Sequence, residues 1–549
     1  MSKASAPFWA ATLIVLLFGA SVRLYKLDSY PIGFNQDQMV LGYDAWSIWQ
    51  TGRDHHGEAL PLFFRTFDDY VSPVANYLTS PFVGLLGLNE FNTRLPIAIL
   101  GALTVLLVAL LGREWFGPGA GIVAALLFAI EPWQVNYNRI AYPANLIPFF
   151  TTASLYCFTK AMAGLRARRE RSAYGWLAAC SVSFALLTAT YAIMKLQGPL
   201  LLFICVLASL TLLRRHPRAA FGWLILFTLC ISPLIVQQIL QWNTSQARFA
   251  AITATNARDA NYGQLPYTIR LYASHFDPRT IFFTGFRNSV RFPPTIGELS
   301  WVEIPLLIGF ILFNRMRQQS NRLGFNLTLL VVLWLLTYPI ADTLTGGFYG
   351  TASEVRCVPI MPLPELLAGY GALLIWQRLV QHRRRLAYAA LTLGAVGYGV
   401  FAVIFLFNFF DPTQYNAAQL PFNVGLKPML DIATQSARPC DQIWMDSENQ
   451  PYMYYLFLER YPPGKFQKFS ESGISSDSIN SVGFDNVRFG TPPDNPPELV
   501  GCKDQPYRVL WVTRTISIAD WSELSVYRNP VGILIWHVVV KQRPFQQTF

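Results

Sequence analysis

A series of eleven apolar stretches constrains this chain more than any other feature, because each is close to the ~20 residues that an α-helix needs to cross a membrane. The first stretch, Phe8 to Val22, has no ionisable residue and is followed by Arg23 and Lys26. It has no convincing cleavage site, so we interpret it as an uncleaved anchor rather than a signal peptide. The other predicted spans are residues 94–112, 119–132, 146–163, 174–191, 196–213, 219–240, 301–314, 323–341, 356–377 and 386–408.

The composition agrees with a membrane protein. Apolar residues make up 52% of the 549 residues and charged residues only 14%, whereas soluble chains have about 25% charged residues. A mostly soluble protein is therefore excluded, and the 15% of aromatic residues excludes a disordered chain. The net charge of +11 would suggest a nucleic-acid partner in a soluble protein, so the positions of the charges must decide.

The basic residues fall on alternate loops when the N-terminus is placed inside the cell, as the positive-inside rule requires. We therefore predict a multi-pass protein of the cell membrane with a cytoplasmic N-terminus, an extracytoplasmic C-terminal region and no nucleic-acid partner. The basic residues of the predicted inner loops are Lys3, Arg113, Arg166, Arg168, Arg169, Arg171, Arg214, Arg215, Arg218, Arg315, Arg317, Arg322, Arg378, Arg383, Arg384 and Arg385.

The long loops then lie outside, at residues 26–93, 241–300, 342–355 and 411–549. The last segment has β-like runs at 442–445, 507–513 and 532–540 between Pro-rich turns. The predicted fold is an α-helical polytopic membrane protein with about 11–13 transmembrane helices. We divide it into a transmembrane domain, 1–410, and a small extracytoplasmic α/β domain, 411–549.

Two of the seven cysteines, Cys440 and Cys502, fall in this outer domain, where oxidation is favoured. The sequence does not give the distance between their Cα atoms, so a disulfide between them and its absence are equal alternatives.

The first outer loop is rich in carboxylates and aromatic residues, and Asp37 stands just before an amphipathic stretch that begins at Met39. Two interpretations follow. Asp37 either caps the N-terminus of a helix or serves as a functional carboxylate at the membrane boundary.

The chain contains an ordered series of short motifs that extends over most of the membrane region, and no single motif in it is specific. The motifs are Gly33 to Met39, Gly42 to Ile48, Thr51 to Asp54, Leu60 to Arg65, Asp68 to Tyr70, Gly87 to Phe91, Arg94 to Pro96, Pro132–Trp133, Asn138 to Ala141 with Asn145, Ser274 to Phe276, and Arg356 ahead of Pro359 and Pro362. As an ordered series they resemble the GT-C superfamily branch that contains dolichyl-phosphate-mannose protein mannosyltransferases and bacterial aminoarabinose transferases that modify lipid A.

The resemblance implies an inverting glycosyltransferase that moves a sugar from a polyprenyl-phosphate donor to a lipid, glycan or protein acceptor at the extracytoplasmic face. Asp37 matches the family's acidic residue, the general base that deprotonates the acceptor. One carboxylate suffices for this reaction, because the departing phosphate needs no acid to protonate it.

Basic residues near the outer span ends are candidates for binding the donor phosphate, because a charge placed there is costly unless it has a use. They are Arg356, Lys195 and Arg139; the structural alternative is snorkelling to lipid or pairing with an outer carboxylate. Acceptor or sugar contacts are predicted for Asp68, Asp69, Tyr70, Asn145 and His275.

Two positions depart from the family pattern. Gln38 replaces a usual Glu, and Val71 replaces a Lys that in relatives contacts the donor phosphate, so a changed donor or a loss of activity stays open. The sequence identifies no cofactor, and a divalent cation stays an open alternative. We interpret His55, His56 and Glu58 as solvated loop residues rather than a metal site, since adjacent histidines point in different directions.

Other functions compete with this hypothesis. An oligosaccharide polymerase or ligase is the alternative within the same class. A transporter or flippase would bury ionisable residues in mid-span, whereas these spans are nearly free of charge to their centres. A non-catalytic scaffold of GT-C descent is the third alternative.

Overall fold

The structure of the chain is a computed structural model. It describes residues 6–66, 69–240, 264–285, 296–347, 351–418, 423–446, 451–471, 483–494, 496, 499, 502, 506–515, 520–529 and 532–543.

The chain is mainly helical, as predicted. The helices of the N-terminal half are α1 (Ala6–Leu24), α2 (Gln36–Thr51), α3 (Val74–Leu86), α4 (Glu90–Phe116), α5 (Pro118–Ile130), α6 (Pro132–Tyr137), α7 (Ile147–Arg166), α8 (Glu170–Thr188), α9 (Met194–Leu213), α10 (Pro217–Leu240) and α11 (Gln264–Ser274). Those that follow are α12 (Glu303–Phe313), α13 (Met316–Leu323), α14 (Leu327–Thr337), α15 (Ile340–Leu344), α16 (Glu354–Cys357), α17 (Leu363–His382), α18 (Arg384–Phe409), α19 (Leu426–Ser436), α20 (Pro451–Leu458) and α21 (Pro463–Glu471).

Each of the eleven predicted spans falls on one of these helices or on a neighbouring pair. Within the described part of the chain, six spans are long and apolar enough to cross a membrane by length and composition, or seven if α16 and α17, which meet at a 48° bend, count as one. Three shorter apolar helices, α3, α5 and α12, add to the membrane region.

Small residues let these helices approach closely. In the hairpin of α4 and α5, a Cβ added to Gly112 would lie 2.8 Å from the Cα of Gly121. Glycines at such a crossing let two backbones pack in direct contact, which replaces the hydrophobic driving force that lipid does not supply.

The segment between α1 and α4 folds over the predicted outer ends of the membrane helices. It contains α2, a short antiparallel hairpin of β1 (Phe64–Thr66) and β2 (Asp69–Val71), and α3. In the hairpin, Tyr70 pairs with Arg65.

The C-terminal region contains a five-stranded mixed sheet, in the order β4-β3-β5-β7-β6. Its strands are β3 (Gln442–Met445), β4 (Val487–Phe489), β5 (Tyr507–Thr513), β6 (Ser522–Arg528) and β7 (Leu534–Arg543). Strand β3 is parallel to β4 and β5, while β7 is antiparallel to β5 and β6. The predicted small α/β domain is confirmed, and β4 and β6 are the strands that the sequence pattern missed. The domain boundary at residue 411 stays a prediction.

Cys440 and Cys502 are joined as a disulfide, with their Cα atoms 5.7 Å apart. The bond ties the start of β3 to the segment before β5, two neighbouring strands of this sheet.

We expect Gly121→Ala to destabilise the protein by about 1–3 kcal/mol, because the new Cβ would lie 2.4 Å from the carbonyl oxygen of Ala109 in α4. The matched control is Gly175→Ala in α8, whose Cβ would meet nothing within 4 Å and which should be neutral or stabilising. Thermal unfolding in detergent measures both variants. Equal midpoints for the two would contradict the close packing of α4 and α5.

Candidate functional site

One cavity of about 350 Å³ lies where the first outer segment covers the ends of the membrane helices. It brings together residues from distant parts of the chain. Its lining is Asp37, Val40, Leu41, Thr66, Tyr70, Val71, Ser72, Asn76, Tyr142, Pro143, Tyr191, Ala192, Ile193, Thr345 and Arg356. Three predicted site residues, Asp37, Tyr70 and Arg356, therefore line the same cavity, and so does Val71.

Asp37 lies in the first turn of α2, where the helix dipole favours a carboxylate. It is not the N-cap, so that alternative is wrong. The cap is Asn35, whose side-chain oxygen accepts the Gln38 backbone N–H at 3.2 Å. The Asn35 amide also donates to the Asp37 Oδ2 at 3.5 Å. Because Asn35 caps the helix, the Asp37 carboxylate is positioned at the cavity wall.

Within the described part of the chain, the Arg356 guanidinium is held through its Nη1 atom. Its Nη1 donates to the Thr345 hydroxyl at 2.8 Å and to the Gly347 carbonyl at 3.1 Å, and it lies 3.5 Å from the Asp342 Oδ1. Asp342 is fully buried and also accepts the Ser353 backbone N–H at 2.8 Å. Through these contacts the residues around α15 and α16 orient the guanidinium at the cavity.

His275 does not line the cavity. It is buried, and its Nδ1–H donates to the Leu271 carbonyl at 2.8 Å, since a carbonyl can only accept. Its Nε2 lies 3.0 Å from the Asp342 Oδ2. The geometry therefore assigns His275 to the support of Asp342 and Arg356 rather than to direct contact with an acceptor.

One group of potential metal ligands occurs among the described residues, namely His275, Asp342 and Cys357, with their ligand atoms within 4.8 Å of one another. The facing atoms of His275 and Asp342 are already bonded to each other, and Arg356 contacts the same carboxylate. A guanidinium at that carboxylate competes with a cation, so we interpret the group as a support for Arg356.

Lys195 lines a second cavity, of about 290 Å³, next to the first. The two cavities share Ser72. The Lys195 ammonium donates to the Gln238 side chain at 2.6 Å and stands 4.5 Å from the centre of the Phe63 ring. The rest of this cavity is mostly apolar, with walls from α9 and α10 that include Pro199, Ile231, Leu234, Ile235 and Ile239.

Arg139 and Asn145 lie away from both cavities. The Arg139 guanidinium is fully buried and donates to the carbonyls of Val22, Tyr25, Lys26 and Tyr30. The Asn145 amide donates to the carbonyls of Tyr137 and Ile140. These contacts stabilise turns between helices. Neither side chain lines a cavity in which it could contact a donor phosphate or an acceptor.

Asp68 and Asp69 are also predicted to contact the acceptor or sugar. Asp68 lies outside the described residues, and only the backbone of Asp69, in β2, is described.

Sequence reasoning missed several cavity residues. The hydroxyls of Tyr142 and Tyr191 lie 3.0 Å apart at the cavity wall. Tyr142 directly follows the matching stretch that ends at Ala141. Asp342, which contacts Arg356 but is not among the lining residues, is the first residue of the third predicted outer loop.

In the loop after α2, Asp54 and His55 are buried, which corrects the prediction that His55 is solvated. Glu58 is exposed, as predicted, and His56 is partly buried. The Asp44 Oδ1 accepts the His55 backbone N–H at 3.0 Å and lies 2.6 Å from its Nδ1. Burial raises the pKa of Asp44 to about 7 and lowers that of His55 to about 4. Burial, with the charge of Asp44, also raises the pKa of Asp54 to about 6.

This loop joins α2 to the C-terminal domain. The Gln467 side chain in α21 donates to the Asp54 carbonyl at 2.9 Å and to the Ser47 hydroxyl at 3.0 Å. The helix that positions Asp37 is thus held at its far end by the C-terminal domain.

We expect Asp54→Asn to stabilise the protein at about pH 8, by on the order of 1–3 kcal/mol, and to have little effect near pH 4. The folded-state pKa of about 6 lies above the unfolded value of 3.8, so the folded state holds a proton that the unfolded chain releases first. The wild type therefore loses stability as the pH rises from the unfolded pKa of 3.8 to the folded pKa of about 6. The Asn side chain can still accept the hydrogen bond from the Glu58 backbone N–H, but it carries no charge.

Thermal unfolding at both pH values measures this effect, with Asp28→Asn, an exposed position of the same segment, as the control. If Asp54→Asn raised the unfolding midpoint equally at both pH values, the result would contradict a raised pKa for a buried Asp54 carboxylate.

Comparisons with known proteins find a likeness in part of the sequence and in the fold. Residues 70–236 match the family described as dolichyl-phosphate-mannose-protein mannosyltransferase. No curated protein matches the chain. Among solved structures, the chain is similar to ArnT from Cupriavidus metallidurans bound to undecaprenyl phosphate, with a TM-score of 0.52 and 13% identity over 99% of this chain and 98% of that one.

The apo state of the same ArnT gives a TM-score of 0.52 at 14% identity, over 98% of each chain. At such low identity the likeness shows the fold. The chain is therefore a multi-pass membrane protein with the GT-C glycosyltransferase fold, which resembles dolichyl-phosphate-mannose-protein mannosyltransferases and ArnT.

Proposed function

We propose that the protein is an inverting glycosyltransferase that moves a sugar from a polyprenyl-phosphate donor to an acceptor at the extracytoplasmic face of the cell membrane. The observation that carries the proposal is that a carboxylate, Asp37, and a guanidinium, Arg356, line one cavity at the border of the membrane region. Transfer of this kind needs a base for the acceptor hydroxyl and a cation for the phosphate.

The donor phosphate is assigned to Arg356. All three of its contacts within the described part of the chain use Nη1, so Nε and Nη2 have no partner there. An arginine fork forms charge-assisted hydrogen bonds with phosphate, and the support of Thr345 and Asp342 reduces the entropy lost on binding.

The polyprenyl chain is assigned to the second cavity, whose isoleucine and leucine side chains suit a hydrocarbon. Its junction with the first cavity at Ser72 would place the lipid phosphate between Lys195 and Arg356. Val71 removes the lysine usual in relatives, and we propose that Lys195 supplies the second positive charge. The undecaprenyl phosphate bound to ArnT supports this class of lipid.

The proposed reaction is a single displacement. The Asp37 carboxylate takes the proton of the acceptor hydroxyl as that oxygen attacks the anomeric carbon. The bond from the anomeric carbon to the phosphate oxygen breaks, and its electron pair leaves with the phosphate, whose charge Arg356 balances. Attack opposite the leaving group inverts the anomeric centre.

The acceptor is assigned to the wall that carries Tyr70, Tyr142 and Tyr191. Tyrosine offers an apolar ring to a sugar face and a hydroxyl for hydrogen bonding. The acceptor class, whether protein, lipid or glycan, is for experiment to assign, and mass spectrometry of cell-envelope lipids and glycans with and without the protein would do so.

We expect Asp37→Asn to lower transfer by about 10²–10⁴-fold, because asparagine keeps the size of the side chain but cannot accept the proton. The assay follows release of polyprenyl phosphate from lipid-linked sugars in proteoliposomes. Asp28→Asn is the matched control, since Asp28 is exposed in the same segment and does not line the cavity. Wild-type turnover by Asp37→Asn would refute the base assignment.

We expect Arg356→Gln to weaken binding of polyprenyl phosphate by roughly 10–100-fold, the value of a hydrogen bond to a charged group. Arg279→Gln is the control, because Arg279 is exposed and does not line the cavity. Equilibrium titration of the purified protein measures the affinity. Unchanged affinity in the Arg356 variant would show that the phosphate binds elsewhere.

A further inference from the structure

A third cavity, of about 560 Å³, lies at the other end of the membrane helices. Helix α9 connects the two regions. Ile193, just before α9, lines the cavity with Asp37, while Leu212 and Arg215, at the end of α9, line this one. Twenty helical residues extend about 30 Å, close to the thickness of a bilayer core. The third cavity therefore lies at the opposite membrane boundary.

The cavity is strongly basic. Arg166, Arg215 and Arg317 line it with exposed side chains, and no Asp or Glu is among its described lining residues. Glu114 comes near this region, where its backbone carbonyl accepts a hydrogen bond from Arg322, but its carboxylate is bonded to Lys160 at 3.1 Å. Three positive charges thus face one space without a carboxylate to balance them there.

Contacts between helices build this cavity in advance of any ligand. The Asn326 backbone N–H donates to the Ala208 carbonyl of α9 at 2.8 Å, and the Leu327 N–H donates to the Ser320 hydroxyl of α13 at 2.9 Å. Arg166 of α7 donates to the backbone carbonyl of Asn321. These bonds fix the walls that α7, α9, α13 and α14 provide.

The walls are amphipathic. Polar side chains form one part of the lining, and apolar side chains form another. The polar ones are Ser320, Asn321, Asn326, Thr211 and Thr328, and the apolar ones are Ala208, Leu212 and Phe325. Helix α13 buries Met316 and Leu323 and exposes Arg317, as a helix at a membrane surface does. A ligand that suits such walls has an anionic head and an apolar body.

We propose that this cavity binds the headgroup of an anionic phospholipid. The phosphate diester would accept hydrogen bonds from Arg166, Arg215 and Arg317, and the glycerol and upper acyl carbons would pack on Leu212 and Phe325. The space exceeds what one phosphate ion fills, and its position at the membrane boundary exposes it to lipid headgroups, so a lipid is favoured over free phosphate. This site does not depend on the proposed glycosyl transfer.

The test is an equilibrium titration of the purified full-length chain in neutral detergent with three probes, namely phosphatidylglycerol, phosphatidylcholine and inorganic phosphate. We expect saturable binding of phosphatidylglycerol and much weaker binding of the other two. The triple variant R166Q/R215Q/R317Q should bind phosphatidylglycerol on the order of 100-fold more weakly, from the effect of each arginine near an anionic surface.

The matched control is R169Q/R171Q/R385Q, which removes three exposed arginines from the same predicted side but outside the cavity. It should keep wild-type affinity. Because Arg166 also bonds to the backbone of the last turn of α13, R215Q/R317Q is a second variant that leaves this contact in place.

Equal loss of binding in the control would refute a specific site, since it would mean that diffuse surface charge attracts the lipid. Equal affinity for inorganic phosphate and phosphatidylglycerol would refute the assignment to a lipid. Wild-type affinity in R215Q/R317Q would refute the role of this cavity.

Discussion

The buried guanidinium of Arg94 is the interaction on which the candidate site most depends. It donates to the Gln38 side-chain oxygen at 3.0 Å and to the Leu27 carbonyl at 3.0 Å, and it also reaches the Gly33 carbonyl. The same Gln38 oxygen accepts the Ala141 backbone N–H at 3.1 Å. The residue next to Asp37 is thus tied to α4, to the turn before α2 and to the turn after α6. Loss of these bonds would leave a buried positive charge unpaired, so they hold the first turn of α2 in one position.

Gln38 stands where the family that the sequence resembles usually has Glu. The amide oxygen meets the Arg94 N–H as a carboxylate oxygen would, and backbone carbonyls supply the other acceptors. We infer that this substitution leaves the positioning of Asp37 intact. Val71 differs from Gln38 in that it lines the cavity itself, where a Lys in its place would add a positive charge.

The sequence predicted what depends on local pattern. Apolar runs located the membrane helices, and alternation located β3, β5 and most of β7, because both patterns report burial of neighbouring residues. It could not predict long-range pairing. The cost of a charge at a span end predicts that Arg139 binds phosphate. In the structure, carbonyls more than 100 positions away in the sequence, at Val22, Tyr25 and Tyr30, accept its hydrogen bonds instead. The burial of His55 beneath Tyr452 and Phe466 depends in the same way on a distant domain.

The proposed function requires Arg356 to bind the donor phosphate and Asp37 to face the acceptor in the same cavity. A cryo-electron microscopy structure of the full chain with bound polyprenyl phosphate tests it most directly. We expect the phosphate within salt-bridge distance of the Arg356 guanidinium, with its lipid along the cavity that Lys195 lines and with Asp37 facing the open side. A phosphate bound away from Arg356, with Asp37 on another surface, would refute the assignment of both residues.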